Sequence, residues 1–562
     1  MAQTAEANMT GTRCRRILIR SRKLFEKEFN MSLPDRNNPY NFNTFLEWRN
    51  AVDYYGDDPF IQGVVRCFTG DEWEKVDTEA REISRKVSFR WRDLSEKIAL
   101  PEKRPYLMQY DGHHNRIDRI IRPHETESLE KEVFSEALFS NRTSPWVKLI
   151  KLYLIYQNGE ACIACPITCT EGLVVLLEKY ADSPETKRIL QHCSEGIDGE
   201  YAIGAQYLSE IHGGSDVPAN VLEAVKEGDT WRLYGTKFFC SATHADYAVV
   251  TAKPQGTENV ALFIMPSWLP GNKEKEIRNN FTIDRIKWKI GTSELTTGEL
   301  TFNGAVAYPS GPLEKGVANV VGIVLACSRL TVGLSGAASM TRAVREAKKY
   351  AQFRQAFGVT IGDFPMVAGQ LDRMDLSAKR TTAGAFKLYR DFLNLERGLK
   401  GGLVTDEPDA VKKKRFDIRE LIMLQKITAS WDSTDVIRNA MSIFGGHGVM
   451  EDFSSLPRLY RDSAVNELWE GPRNVLLTQI HRDLQRVSAW YKPAEFVGNI
   501  LSGADKSLVA ELSGEINELV SHSSLFSMDE KTIEVCRRWD DFCHKLFHSY
   551  QDVALRIIYD AR

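Results

Sequence analysis

The chain has 562 residues, 43% hydrophobic and 27% charged, with a formal net charge of −3. That length exceeds one compact core and predicts roughly two to four domains, while the near-neutral charge gives no sign of a polyanionic partner. No run approaches the roughly 18 consecutive apolar residues that span a bilayer, so a transmembrane protein is not expected.

At the amino end, Arg13, Arg15, Arg16, Arg20, Arg22 and Lys23 occur with only Glu6 as an acid before Glu26. This resembles a mitochondrial presequence, and equally an exposed amphipathic leader of a cytosolic protein. Mitochondrial matrix and cytoplasm both stay open. Residues 1–100 read as an N-terminal extension with breaks such as Leu33–Pro39 and a helical piece at Asp71–Leu94. Residues 101–200 read as an α-helical domain. It opens on Gln109–Pro123, where Asp111-Gly112 predicts a hairpin turn. Helices follow at Val147–Tyr156 and Glu171–Tyr180.

The ten cysteines are not a disulfide framework, and their usage points to a reducing intracellular compartment. Cys162, Cys165 and Cys169 share one helix face. They lack the second pair or the histidines of a zinc site, so they are predicted as buried small residues, with no metal expected.

Residues 201–312 carry short β-type runs at Thr230–Tyr234, Tyr247–Ala252, Val260–Met265, Phe281–Ile290 and Glu299–Phe302, which predict a middle β domain. Long helices return over 313–490. Val321, Val324, Leu325 and Val332 recur at helical spacing, and Gly333, Gly336, Ala337 and Ala338 make a face small enough for close packing. Leu399–Pro408 reads as a loop, Lys412–Arg415 as a solvated helix start, and residues 491–562 as an appended helical unit. The fold class is therefore α+β multidomain: helices, a small β domain, then a helix bundle.

Five segments carry chemistry. In Tyr460–Asn474, Glu470 stands between Trp469 and Gly471; an acid beside an indole is either a tuned base or an ordinary surface glutamate at a helix start. Ser209–Asp216 offers two hydroxyls and adjacent glycines, suited to a phosphate or to the edge of a heteroaromatic ring, or to a plain polar turn. In Gly235–Ser241, Phe239 can stack on a flat ring while Ser241 points a hydroxyl at it; a strand with a core aromatic reads the same way. Arg354–Gly358 sets a fixed cation three residues from an aromatic, suited to a phosphate or simply a surface arginine at a helix end, and Ile443–Gly448 is a glycine-rich break whose amides can meet a pyrophosphate or merely stop a helix.

The order and spacing of these segments resemble the acyl-CoA dehydrogenase superfamily from about 150 to 485. The family's T-E-x-x-x-G-S-D segment matches Ser209–Asp216. Its G-x-K-x-[WF]-[IC]-[ST] segment matches Gly235–Ser241, R-x-x-F-G matches Arg354–Gly358, F-G-G-x-G matches Phe444–Gly448, and Y-R-D…[YW]-E-G matches Tyr460–Gly471. Within the superfamily the chain is most similar to the AidB-type branch, through Glu210–Asp216, Trp469-Glu-Gly, the Tyr110-Asp-Gly stretch and both extensions.

The resemblance implies an α-helical domain, a middle β-barrel-like domain and a C-terminal four-helix bundle, with FAD between barrel and bundle. By matched position, Tyr207, Leu208 and Ser209 would line the flavin ring. Gly214 and Ser215 would meet the phosphates, with Ser215 also near the acyl ligand. Phe239, Cys240 and Ser241 would border the flavin, and Asn474 would keep a polar group near the cofactor. Arg354, Phe357, Gly445 and Gly446 would hold the diphosphate and adenosine of a neighbouring subunit's FAD, in a homotetramer built as a dimer of dimers. Glu470 would be the base that removes the α-proton of a fatty acyl-CoA, with Arg329, Trp469 and Gly471 beside the substrate. Electrons would pass to electron-transferring flavoprotein or to oxygen.

Three positions depart from the family pattern. Pro472 replaces a Thr or Ser, Ser442 replaces a Gln, and Ala326 replaces an acid that meets CoA. They raise an alternative: a flavoprotein that sequesters or senses acyl chains with little turnover. A third reading, nucleic-acid protection, is disfavoured because residues 491–562 hold 8 Lys/Arg against 12 Asp/Glu, a balance of 8 − 12 = −4.

Overall fold

The computed structural model describes residues 41–395 and 407–561, so the basic stretch at 13–23 and most of the 399–408 loop lie outside the described residues. Four helices come first: α1 (Asn43–Ala51), α2 (Pro59–Phe68), α3 (Trp73–Arg85) and α4 (Arg92–Ile98). A π-helical turn over Lys86–Trp91 joins the last two. Asp58 starts α2 by accepting from the N–H groups of Phe60 and Ile61, with Pro59 in the first turn. β1 (Tyr106–Tyr110) and β2 (Arg116–Ile121) then pair antiparallel around Asp111-Gly112, as the turn signal predicts. α5 (His124–Phe134), α6 (Pro145–Tyr156), α7 (Ala164–Tyr180) and α8 (Pro184–Ser194) complete the helical region.

Residues 1–100 do not behave as a separate extension where they are described. Ile61, Val64, Val65, Val76, Ala80, Ile83, Val87 and Trp91 form one apolar core with the buried residues of α6. A helix face of that width is stable only against another apolar face, and α6 supplies it. Cys162, Cys165 and Cys169 are buried around the start of α7, with the Cys165 and Cys169 sulfurs 3.7 Å apart.

β3 (Gly204–Tyr207), β4 (Glu223–Glu227), β5 (Thr230–Ser241), β6 (Tyr247–Pro254), β7 (Ala261–Pro266), β8 (Phe281–Ile286) and β9 (Thr297–Pro309) make one seven-stranded sheet. β6, β4, β5, β9 and β7 pair in that order and β7 pairs back to β6, closing a barrel; β3 adds to β6 and β8 to β9. The register slips between Lys237 and Cys240 on β5, a bulge that takes Phe238 and Phe239 out of the ladder.

The bundle is α9 (Leu325–Phe353), α10 (Pro365–Asn394), α11 (Asp409–Phe444), α12 (Leu456–Asn466) and α13 (Arg473–Val487). The small face on α9 does what its residues predict: a Cβ at Gly336 would lie 2.8 Å from the Ala429 carbonyl oxygen, so only glycine lets α11 approach this closely. Leu313–Phe353 is long and apolar enough to cross a membrane by length and composition, and most of it is buried inside this bundle. Arg342 fastens the bundle to the helical region. Fully buried, it bonds Glu346 (2.9 Å), Ser455 (2.7 Å), the Asn158 side chain (3.0 Å) and Glu96 (3.2 Å). α14 (Pro493–Ile500), α15 (Lys506–Ser521) and α16 (Glu530–Asp560) share a core with α11 and α13, so the C-terminal unit is helical as expected and packed onto the bundle.

Candidate active site

Past Asn466 the chain leaves α12 and turns sharply before α13. Glu470 takes φ 60° and Gly471 φ 104° in that turn. A left-handed non-glycine residue costs roughly 1–3 kcal/mol and persists only where its surroundings fix it. Two buried cations do so. Arg329 of α9 donates from Nε to the Glu470 carbonyl at 2.9 Å. Lys426 of α11 donates from Nζ to the carbonyls of Glu467 (2.9 Å) and Gly471 (2.7 Å), so it closes the turn from both ends. Lys426 is 0% exposed.

Burial pushes the Glu470 carboxyl up from its ordinary value, against the lowering effect of Arg329 and Lys426. Burial likewise drives Lys426 down to about 7 and Arg329 down to about 10, each partly countered by Glu470. A carboxyl so placed holds and releases a proton nearer neutrality than an exposed glutamate, which suits a general base.

Glu470 and Trp469 face a cavity of about 30 Å³ walled by α7, α9, α12 and the 292 loop of the β domain. Its wall includes Thr168, Thr331, Ser335, Ser339, Asn466 and Glu160. Glu160 caps the start of α7, both its oxygens accepting from the Cys165 N–H at 3.2 Å. Asp462 accepts from the main-chain N–H groups of Thr292 (2.8 Å) and Glu160 (3.2 Å). Burial pushes the protonation of both acids upward, helped at Glu160 by the charge of Asp462 and at Asp462 by that of Glu294.

The second half of the site is on the barrel. Phe238 N donates to the Ser209 carbonyl at 2.9 Å, which joins the Ser209–Asp216 loop to β5. Lys237, wholly buried, reaches under that loop to the Leu208 carbonyl (3.1 Å), Glu210 (2.7 Å), Thr251 (3.0 Å) and Asn220 (3.3 Å). Burial lowers Lys237 to about 8 against the raising effect of Glu210. A Cβ at Gly214 would press on the Ser209 hydroxyl, so glycine there lets the loop close on itself without displacing that side chain. Residues 211–216 are exposed, and Phe239 beside them is 52% exposed. Ser241 meets Thr297 at 3.1 Å, and Lys289 bridges Thr297 (2.8 Å) to Thr292 (2.8 Å), which lines the Glu470 cavity. A chain of hydrogen bonds thus runs from the barrel face to the wall of the cavity that Glu470 lines.

Four of the expected residues are placed as follows. Tyr207 and Cys240 are buried in the core, Tyr207 donating to the Ala242 carbonyl at 3.4 Å. Arg329, expected beside substrate, is committed to the Glu470 carbonyl. Asn474 is exposed and lines another cavity, of about 420 Å³, with Trp431 and Arg473. Arg354, Gly445 and Gly446 line a third, of about 480 Å³, with His447 and Tyr350. No Cβ contact obstructs Gly445 or Gly446, and Phe357 nearby in sequence is 97% exposed.

The residues fit a dinucleotide flavin. An exposed aromatic face, a hydroxyl and a glycine loop with free main chain adjoin on the barrel, and an arginine with open glycines stands ready on the bundle. Sequence reasoning missed Lys237, Glu210 and Lys426. The first two are signalled by the Gly-x-Lys and Ser-Glu segments that carry them; Lys426 has no signal inside a long helix.

The model of the acyl-CoA dehydrogenase C-terminal domain matches residues 314–485, and that of the middle domain matches residues 205–305. The chain belongs to the acyl-CoA dehydrogenase family. Its members are oxidoreductases. Acyl-CoA dehydrogenase family member 11 of Caenorhabditis elegans is 26% identical over 450 residues, 76% of this chain and 70% of that protein. The putative acyl-CoA dehydrogenase AidB of Escherichia coli is 27% identical over 466 residues, 80% of this chain and 81% of that protein. The same acyl-CoA dehydrogenase fold is seen in C. elegans ACDH-11 solved with C11-CoA, at TM-score 0.75 and 22% identity over 90% of this chain and 91% of that one. A Bacillus anthracis acyl-CoA dehydrogenase complexed with FAD aligns at TM-score 0.58 and 18% identity over 86% and 89%.

Proposed function

We propose that this acyl-CoA dehydrogenase family member is an FAD-dependent α,β-dehydrogenase of a medium-to-long acyl-CoA, with Glu470 as its base. The observation that carries the reading is the clamped turn: Arg329 and Lys426 hold the main chain around Glu470, and Glu470 lines a cavity that Thr292, bonded through Lys289 to the barrel, also lines. A bound flavin supplies the hydride acceptor for the β-hydrogen. The chain does the rest. Glu470 takes the α-proton at its carboxylate. Arg329 and Lys426 hold the turn so that the carboxyl does not swing away.

Ser209, Gly214, Ser215, Phe239 and Ser241 would border the flavin, and Arg354, Phe357, Gly445 and Gly446 would serve a partner subunit's cofactor. The separate cavity of that second group supports a homotetramer whose subunits complete each other. A further cavity of about 500 Å³ touches the first at Thr331 and offers room for the remainder of a longer chain. Electron-transferring flavoprotein is the proposed acceptor.

Glu470→Gln tests the reading, since it keeps shape and removes the base. Anaerobic mixing with acyl-CoA should show flavin bleaching slowed roughly 10²–10⁴-fold while binding holds. Unchanged bleaching would remove Glu470 from the mechanism. Tight binding without bleaching in the unaltered protein would replace catalysis with sequestration.

A further inference from the structure

The cavity beside Glu470 is unusual for a chain of methylenes, because three of its buried polar groups are uncommitted while Thr331 is bonded within its own helix and to Thr168. Thr331, Ser335 and Ser339 stand four residues apart on one face of α9. Ser339 is 4% exposed and Asn466 is 6% exposed, yet neither side chain has a hydrogen-bond partner among the described residues. Trp469 Nε1 is also buried without a partner. All three line this one cavity. An alkyl chain there would leave each unpaired, and a buried unpaired polar group costs about 1–3 kcal/mol.

The charged neighbours say which polar group would pair. Glu160 and Asp462 are bonded to main-chain N–H groups, so a second anion would face two carboxyls. Arg458, 3.8 Å from Asp462, and Lys289, bonded to Thr292, set two positive charges against a cation. A neutral group that both accepts and donates meets neither objection.

We infer that the substrate is an acyl thioester bearing a hydroxyl beyond its β-carbon, which accepts from the Trp469 indole and pairs with Asn466 and Ser339. The inference rests on the dehydrogenase reading of the Glu470 site and names its substrate class. The site rejects plain acyl chains for a physical reason: polar groups placed to pair a hydroxyl are left unsatisfied by the analogue that lacks it.

Two measurements decide it. The holoenzyme of Glu470→Gln is titrated calorimetrically with straight-chain acyl-CoAs of eight to twelve carbons and with the same thioesters hydroxylated at C4, C5 or C6. At least one hydroxylated series should bind tenfold or more tighter than its parent, and Ser339→Ala/Asn466→Leu should cut that preference below about threefold. Equal or weaker binding of every hydroxylated ligand, or a preference that survives the double variant, overturns the inference whether or not the unaltered protein turns over. Bleaching by straight chains with no hydroxyl preference would leave the dehydrogenase standing and remove its proposed substrate. Binding preference without bleaching by any thioester would do the reverse.

Discussion

Two buried lysines hold the two halves of the site, and they do it differently. Lys237 pins the Ser209 loop to the barrel, donating to one carbonyl while a buried carboxylate, Glu210, faces it at 2.7 Å. Lys426 pins the turn around Glu470, donating to two carbonyls with no carboxylate bonded to it. The lysine with a bonded acid is lowered to about 8 and the one without to about 7, burial being the leading cause in both. The barrel clamp is thus a paired charge whose worth lies in architecture. The bundle clamp is a donor poised between charged and neutral, next to the group whose proton affinity matters. The difference separates holding a fold from holding a reactive carboxyl.

The largest expected effect breaks the barrel clamp. Lys237→Met leaves Glu210 buried without its cation, and removing one member of a buried pair costs roughly 3–5 kcal/mol. Chemical denaturation should show that loss, and Glu210→Gln in the same background should recover part of it. A loss below about 1 kcal/mol would mean that the loop does not depend on the pair.

Next comes the bundle clamp. Lys426→Met strands two carbonyls at a cost of about 1–3 kcal/mol. Its sharper signature is kinetic. A turn free to relax misplaces Glu470, and a misplacement near 1 Å costs on the order of 10²-fold in rate. Flavin reduction by acyl-CoA should fall by roughly that factor, with ligand binding little changed. A rise in Kd with an unaltered reduction rate would make Lys426 a purely structural residue.

The same lysine sets a pH dependence. Folded, Lys426 loses its proton near pH 7; its ordinary value is 10.5. Between those values the unfolded chain holds a proton that the folded chain does not, so this group makes stability rise with pH across the window, by up to about 1.4 kcal/mol per pH unit. The slope of stability between pH 7 and 9 should be steeper in the unaltered protein than in Lys426→Met. Parallel slopes would show that Lys426 stays charged in the fold.

How much of this the sequence shows depends on where a residue's partners lie. The hairpin at Asp111-Gly112, the β runs, the small face of α9 and the segment around Glu470 are local patterns, and each forms as its residues predict. The packing of residues 52–98 into the main core is not local. It depends on an apolar face of α6 far along the chain, which no spacing within the first hundred residues reveals. Lys426 shows the same limit more sharply: its partners are 41 and 45 residues away and are main-chain carbonyls, which every residue carries and no motif records. Arg329 could be named from its segment, but whether it meets substrate or the Glu470 carbonyl, 141 residues on, is settled only by the bundle.

A pair of glycines gives the finest test of the contrast. Gly471, at φ 104°, would set a Cβ 2.9 Å from Leu476 Cδ2 and 3.6 Å from Arg329 Nη2. Gly235, at φ 122° on β5, would set one 3.3 Å from Leu222 Cδ1. Alanine is strained at both backbone angles, and each substitution should cost about 1 kcal/mol or more. The two should part in function. Gly471→Ala strains the turn that carries Glu470 and presses on Leu476, so its reduction rate should fall several-fold beyond what the lost stability explains. Gly235→Ala strains the barrel two residues from Lys237 and away from the base, so its folded fraction should reduce flavin at close to the unaltered rate. Equal kinetic losses in both would mean that the base turn is no more sensitive than the barrel, and the division of labour between the two lysines would fall with it.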